Sequence, residues 1–202
     1  MCPKVVDKQL KRNEIARSAA RVLSRRGIHD FKMIDIACEA GIGKGTLYEY
    51  FRSKEEIIDG TYKLILQDYT EFLEERTTAV SGPEEKLKMF IRSSFEFFES
   101  NPDNLRLVFD FWAAGIDRHD SSFFLAGVEE SYRDAVRQLR SFIDEGVAGR
   151  IFKPVDSEMT ASLLLAVMDG LMFQVEMGLH RLDSRMLAEV VSRMVLEGIT
   201  VK

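Results

Sequence analysis

The sequence predicts an all-α protein of about nine helices. Three observations carry this: apolar residues recur at helical spacing along the 202-residue chain, sustained apolar/polar alternation is missing, and no Asn-Gly or Asp-Gly hairpin signal separates alternating runs. With 46% hydrophobic residues, such a chain can fill a core.

The first helix spans about residues 8–26. Ile15, Ala19, Val22 and Leu23 line one side, Arg17, Arg21 and Arg25 form a basic stripe on another, and Gly27 follows as a C-terminal cap. A short helix from about Lys32 to Ala40, a turn at Gly41 and a second short helix from about Lys44 to Tyr50 come next. Ser53 and Glu56 have the spacing of a capping box, so a long fourth helix begins there, carrying Ile57, Ile58, Tyr62, Ile65, Tyr69, Phe72 and Leu73 as far as the break at 81–85. Breaks at 100–103, 115–122 and 146–157 divide the remainder into about five more helices.

Charge is distributed unevenly. Residues 1–55 carry 12 Lys/Arg against 7 Asp/Glu, whereas residues 56–202 carry 16 against 26. Clustered positive charge attracts phosphates, so the front is expected to meet a polyanion and the acidic body is not.

Within the front, Ala37, Gly41 and Leu47 fit the two helices and turn of a helix-turn-helix. A small Ala37 permits close crossing, Gly41 supplies a positive φ, and Leu47 turns inward beside Ile36 and Ile42. The opposite face of the second helix then holds Lys44, Thr46, Tyr48 and Tyr50, with Lys54 just beyond, a set rich in donors for phosphates and base edges. This face would lie against a major groove of double-stranded DNA. Gly43 and Gly45 would let backbone N–H groups approach phosphates, although Gly43 also suits a longer turn and Tyr48 also suits packing. Glu49 is expected to point away from the nucleic acid.

The stretch "IDIACEAGIGKGTLYEYFRSKEEI" (34–57), within residues 8–58, resembles the DNA-binding region of TetR-family transcriptional regulators. The resemblance implies an N-terminal three-helix helix-turn-helix domain over 1–55 and a helical effector-binding and dimerisation domain over 56–202. It implies contacts to bases or phosphates from Lys44, Thr46, Tyr48, Tyr50 and Lys54, a close backbone approach at Gly45, and a phosphate contact at Lys32. Phe31-Lys32 stand where the family often places hydroxyl residues, which leaves Asp30 to cap the second helix one position early.

In the acidic body, 161–175 is apolar almost all round, and Met186, Leu187, Val190, Val191, Met194 and Val195 stripe the last helix. The expectation is a homodimer through the last two helices, the alternative being a helix central to a monomer. Nine aromatic residues fall between Phe90 and Phe124. Most are core, and a subset of Phe95, Phe98, Phe109, Trp112 and Phe124 with Met168 and Met172 could line a pocket for a lipophilic or aromatic small-molecule effector. Asp110, Asp169 and His119 are the candidate polar anchors.

Together these readings describe a ligand-responsive repressor on a pseudo-palindromic operator. The alternatives are a DNA-binding regulator controlled by a protein partner rather than a small molecule, and a redox sensor through Cys38, whose apolar setting suggests a buried and unreactive thiol. Three scattered histidines, no metal-spaced Cys/His/carboxylate cluster, no phosphate-binding glycine loop and no nucleophile elbow argue against an enzyme, a metal or a cofactor. The longest aliphatic run, 163–168, is far short of a bilayer span, so a cytoplasmic protein with no membrane partner is expected.

Overall fold

The computed structural model describes residues 8–117, 122–179 and 183–201, without the side chains of 114–117 and 122–126. Cys2, His119, His180 and the Phe123 and Phe124 side chains lie outside the described residues. Among those described there are nine helices: α1 (Lys8–Arg26), α2 (Met33–Glu39), α3 (Lys44–Tyr50), α4 (Lys54–Thr78), α5 (Pro83–Ser100), α6 (Pro102–Asp117), α7 (Ser122–Ala148), α8 (Ser157–Glu176) and α9 (Ser184–Ile199). The all-α expectation of about nine helices holds, the only extended pairing described being an isolated bridge between Phe152 and Thr200.

The chain divides into two compact units. One comprises Met1–Asp68 and Arg106–Phe124, the other Tyr69–Leu105 and Leu125–Lys202. Helices α4, α6 and α7 therefore contribute residues to both.

The first unit is built on the apolar side of α1, where Ile15, Ala19 and Leu23 are fully buried together with Phe31, Ile36, Leu47, Phe51 and Ile57. Gly41, at φ +65°, makes the turn between α2 and α3. Gly60 has a different reason to lack a side chain: a Cβ there would stand 2.6 Å from the Phe51 ring, so α4 can cross Phe51 only at a glycine. Tyr62 packs edge-on against Phe111 of α6 at 5.3 Å between ring centroids.

Two local expectations need correction, at the start of α2 and at Cys38, and a third, the pairing of Ser53 and Glu56 at the start of α4, holds with the carboxylate on a different N–H. Helix α2 begins at Met33, and its N-cap is Lys32 rather than Asp30; since an ammonium cannot accept, the help comes from Asp35, whose Oδ2 accepts the Lys32 backbone N–H at 2.8 Å. At the start of α4, Ser53 Oγ accepts the Glu56 N–H at 3.1 Å as a capping box requires, but the Glu56 carboxylate reaches the N–H of Arg52, one residue earlier, at 2.7 Å. Cys38 is exposed, because Met33, Ile36 and Ala37 take the inward phase of α2 and leave position 38 outside with Ile34.

In the second unit α5 lies along α9, burying Leu87, Phe90, Ile91 and Phe95 with Leu187, Ala188, Val191 and Leu196. Asp156 and Asp183 cap α8 and α9 through bonds of 2.9 Å from the N–H groups of Met159 and Met186. Helix α8 is 20 residues long with a mean hydropathy of 1.3, so by length and composition it meets the test for a membrane span, which the longest-run measure missed. The core helix of a soluble protein passes the same test. Its outward residues include Met159 and Leu163, and Met177 follows as its C-cap, each more than half exposed. Helix α9 similarly exposes Met186, Val190 and Met194.

Candidate nucleic-acid interface

The second helix of the helix-turn-helix is fixed from below and open above. Leu47, with no exposed surface, is its only buried residue, while Lys44, Gly45, Thr46, Tyr48 and Glu49 are exposed and Tyr50 is half-buried. A Cβ at Gly45 would meet nothing within 4 Å, so packing among the described residues does not explain the missing side chain. Lys32, at the start of α2, and Lys54, at the start of α4, are exposed as well. Their placement at adjoining helix ends brings all the sequence-derived DNA candidates into the first unit.

The electrostatics separate two groups of cations. Arg17 pairs with Asp68 at 2.9 Å, Arg21 and Arg25 share Glu39 at 2.7 and 2.5 Å, and Arg26 meets Asp35 at 3.3 Å. Hydrogen bonds from Arg21 and then Arg25 hold the Glu39 carboxyl below the usual carboxylate range. Lys32, Lys44 and Lys54 make no ion pair among the described residues. The Lys54 ammonium lies 4.7 Å from the Phe31 ring centroid and that of Lys44 lies 5.9 Å from the Tyr48 ring, contacts that steer a cation without neutralising it.

Sequence reasoning missed Arg12. Its guanidinium donates to the Tyr50 carbonyl at the end of α3, donates to Glu56 Oε1 at 3.0 Å, and stacks 4.0 Å over the Phe51 ring. One α1 side chain thus ties together the end of the exposed helix and the start of α4. The Arg52 N–H first, and Arg12 among the other causes, hold the Glu56 carboxyl low against the opposing effect of burial.

The candidate effector residues do not fall in one unit. Phe95, Phe98, Met168 and Met172 are buried in the second, whereas Phe109 and Trp112 are half-buried in the first, edge to face at 5.2 Å, with Trp112 Nε1 donating to the Tyr62 hydroxyl at 3.3 Å. The Phe124 side chain lies outside the described residues. Asp169 is half-buried and accepts from Tyr132, while Asp110 is half-buried on α6. A separate open groove of about 670 Å³ runs between α5 and α9, past Lys88, Arg92, Arg185 and Arg193, and none of the candidate effector residues lines it. Among the described residues no group of three His, Cys, Asp or Glu side chains could hold a metal.

An exposed short helix, set by Leu47 and a glycine turn within a small helical unit, defines a DNA-binding regulator of the helix-turn-helix class. Comparison with known proteins places it further. Residues 15–61 match the model of the tetR family of bacterial regulatory proteins, and residues 83–199 match the C-terminal model of BetI-type transcriptional repressors. The chain belongs to the TetR family of transcriptional regulators. The HTH-type transcriptional regulator PksA of Bacillus subtilis (strain 168) is 27% identical over 171 residues, 84% of this chain and 80% of that protein. The transcriptional regulator FadR from Bacillus subtilis, solved with stearoyl-CoA, superposes with a TM-score of 0.79 at 22% identity over 92% of this chain and 98% of its own. A protein from Saccharomonospora viridis solved with choline gives 0.82 at 20% identity over 96% and 100%. These relatives are regulators of transcription rather than enzymes.

Proposed function

We propose that this regulator acts as a homodimeric repressor on a pseudo-palindromic operator and is released by a small effector with a lipophilic or aromatic body. Lys44, Thr46, Tyr48 and Tyr50 would read bases and phosphates, Gly45 would admit the backbone, and Lys32 and Lys54 would anchor flanking phosphates. The observation that carries the reading is the contrast in pairing: the lysines on and around α3 meet no carboxylate among the described residues, while the arginines of α1 pair with carboxylates of the same unit, Arg21 and Arg25 on one shared Glu39. A phosphate needs an uncompensated cation.

The exposed apolar stripes of α8 and α9 suit a two-fold contact with a second copy, α8 being too apolar for a solvated surface helix. Such a dimer sets its two recognition helices one DNA turn, ~34–36 Å, apart. On this reading residues 1–55 serve DNA and residues 56–202 serve effector and partner, in the cytoplasm. The TetR-fold relatives solved with stearoyl-CoA and with choline support control by a small molecule. An effector lowers operator affinity only by preferring a conformation in which the two α3 helices no longer match the groove spacing.

The test is selection from random duplexes at near-physiological salt, with the assembly state measured alongside. Enrichment of a pseudo-palindrome by a dimer is expected. A monomer with no enriched sequence would overturn the proposal.

A further inference from the structure

The groove between α5 and α9 reverses the charge of the body around it. Residues 56–202 carry 26 acidic against 16 basic side chains, yet four cations and two carboxylates line this groove. Lys88 and Arg92 stand on the α5 wall, Arg185 and Arg193 on the α9 wall, and the acids are Glu85 and Glu189. Both walls belong to the second unit. Between them Met89, Ala188 and Leu196 supply an apolar floor.

The four cations differ in what they meet. Lys88 pairs with Glu84 and Glu85 at 2.8 and 2.9 Å, and Arg92 with Glu96 at 2.6 Å. Arg185, Glu189 and Arg193 are exposed and follow one another at i, i+4 and i+8 along α9, a spacing at which opposite charges can pair, but they make no ion pair among the described residues. Each precedes by one residue a member of the exposed stripe Met186, Val190 and Met194, which sets it about 100° away round the helix. The groove and the stripe offered above to a second copy are therefore different faces of α9.

Shape and charge spacing select the occupant. Arg185 and Arg193 stand about 12 Å apart along the helix axis with Glu189 between them, so they suit negative charges repeated at that interval rather than one anion held by both. The groove is open to solvent, whereas a small-molecule site encloses most of its ligand. An amphipathic helix with acidic residues on successive turns satisfies both conditions. We propose that the groove between α5 and α9 docks an acidic amphipathic helix of a partner protein, whose carboxylates meet Arg185 and Arg193 and whose apolar side lies on Met89, Ala188 and Leu196. The inference goes beyond the operator and the small effector and rests on neither.

The test is fluorescence anisotropy of labelled peptides with the full chain at about 0.15 M salt. The probe is a designed helix of about 18 residues with Glu along one side and Leu along the other. Its controls are a counterpart with Gln for Glu and a peptide of the same composition scrambled so that no side is apolar. The acidic helix should bind about tenfold or more tightly than either control. Arg185→Glu with Arg193→Glu should weaken it by about tenfold or more and should bind a counterpart with Lys for Glu that the unaltered chain rejects. The melting temperature and assembly state should stay as they are, because both side chains are exposed and stand off the apolar stripe. Equal binding of the acidic helix and its controls by the unaltered chain, a comparison that needs no variant to fold, overturns the proposal, as does binding that survives the charge reversal. A changed assembly state in the double variant would give the groove to a second copy and overturn it too. So would binding of decanoate or pyrophosphate, lost in the double variant, when the acidic helix does not bind.

Discussion

Helix α1 and the α2–α3 surface are both rich in cations, yet their charges have opposite fates. Arg17, Arg21, Arg25 and Arg26 each end on a carboxylate of their own unit, whereas Lys32, Lys44 and Lys54 end on solvent or on a ring face. Folding therefore leaves Lys32, Lys44 and Lys54 without a carboxylate partner among the described residues while the α1 arginines gain one. The lesson is that a count of basic residues overstates a phosphate-binding footprint, and the unpaired ones delimit it.

The largest effect is expected on α3. Tyr48→Ala should cost operator affinity about 10–100-fold, the range expected when one or two base-edge interactions are removed, while the melting temperature stays nearly unchanged because this side chain is 41% exposed. Fluorescence anisotropy on a selected duplex checks it. Next comes Arg12→Ala, which frees the Tyr50 carbonyl and the Glu56 carboxylate together. It should destabilise the chain by about 1–2 kcal/mol in urea titrations and also weaken operator binding, because α3 loses its tie to α4. Arg12→Lys should recover part of the stability but not the stacking on Phe51.

Lys54→Ala sharpens the same contrast by reducing affinity for all duplexes alike and making the salt dependence shallower by about one unit for the phosphate it no longer neutralises. A smaller effect follows from acid. The folded-state pKa values of Glu39 and Glu56 lie below the ordinary 4.5, so their stabilisation is present above about that pH and fades as pH falls through the lowered values. Melts between neutral pH and about pH 3 should show a shallower decline for Glu56→Gln than for the unaltered chain. The smallest effect belongs to Arg17→Ala, whose exposed partnership with Asp68 is worth about 0.2–1 kcal/mol and whose removal should leave operator affinity within about threefold.

How far the sequence went depended on the range of the interactions. Helix α1, the Gly41 turn, α3 and the start of α4 were legible because each depends on residues a few positions apart, read by helical spacing and capping. Arg12 was not, since its partners lie 38 and 44 positions away and no local pattern marks them. The pairing of the α1 stripe was hidden for the same reason, Asp68 being 51 residues from Arg17. Cys38 was misjudged through phase: an apolar neighbourhood in α2 does not say which face position 38 takes. Aromatic density announced buried residues, among them Phe90, Phe95 and Phe111, but could not separate the unit of Phe109, Phe111 and Trp112 from that of Phe90, Phe95 and Met168.

The decisive measurement is the salt dependence of operator binding in two double variants. Lys32→Ala with Lys54→Ala should flatten the plot of log Kd against log salt by about one unit for each phosphate left without its lysine, while Arg17→Ala with Arg21→Ala leaves the slope as it is. Equal flattening by the arginine pair would mean that the carboxylates facing α1 leave its charge available to DNA, and that pairing does not delimit the DNA-binding surface.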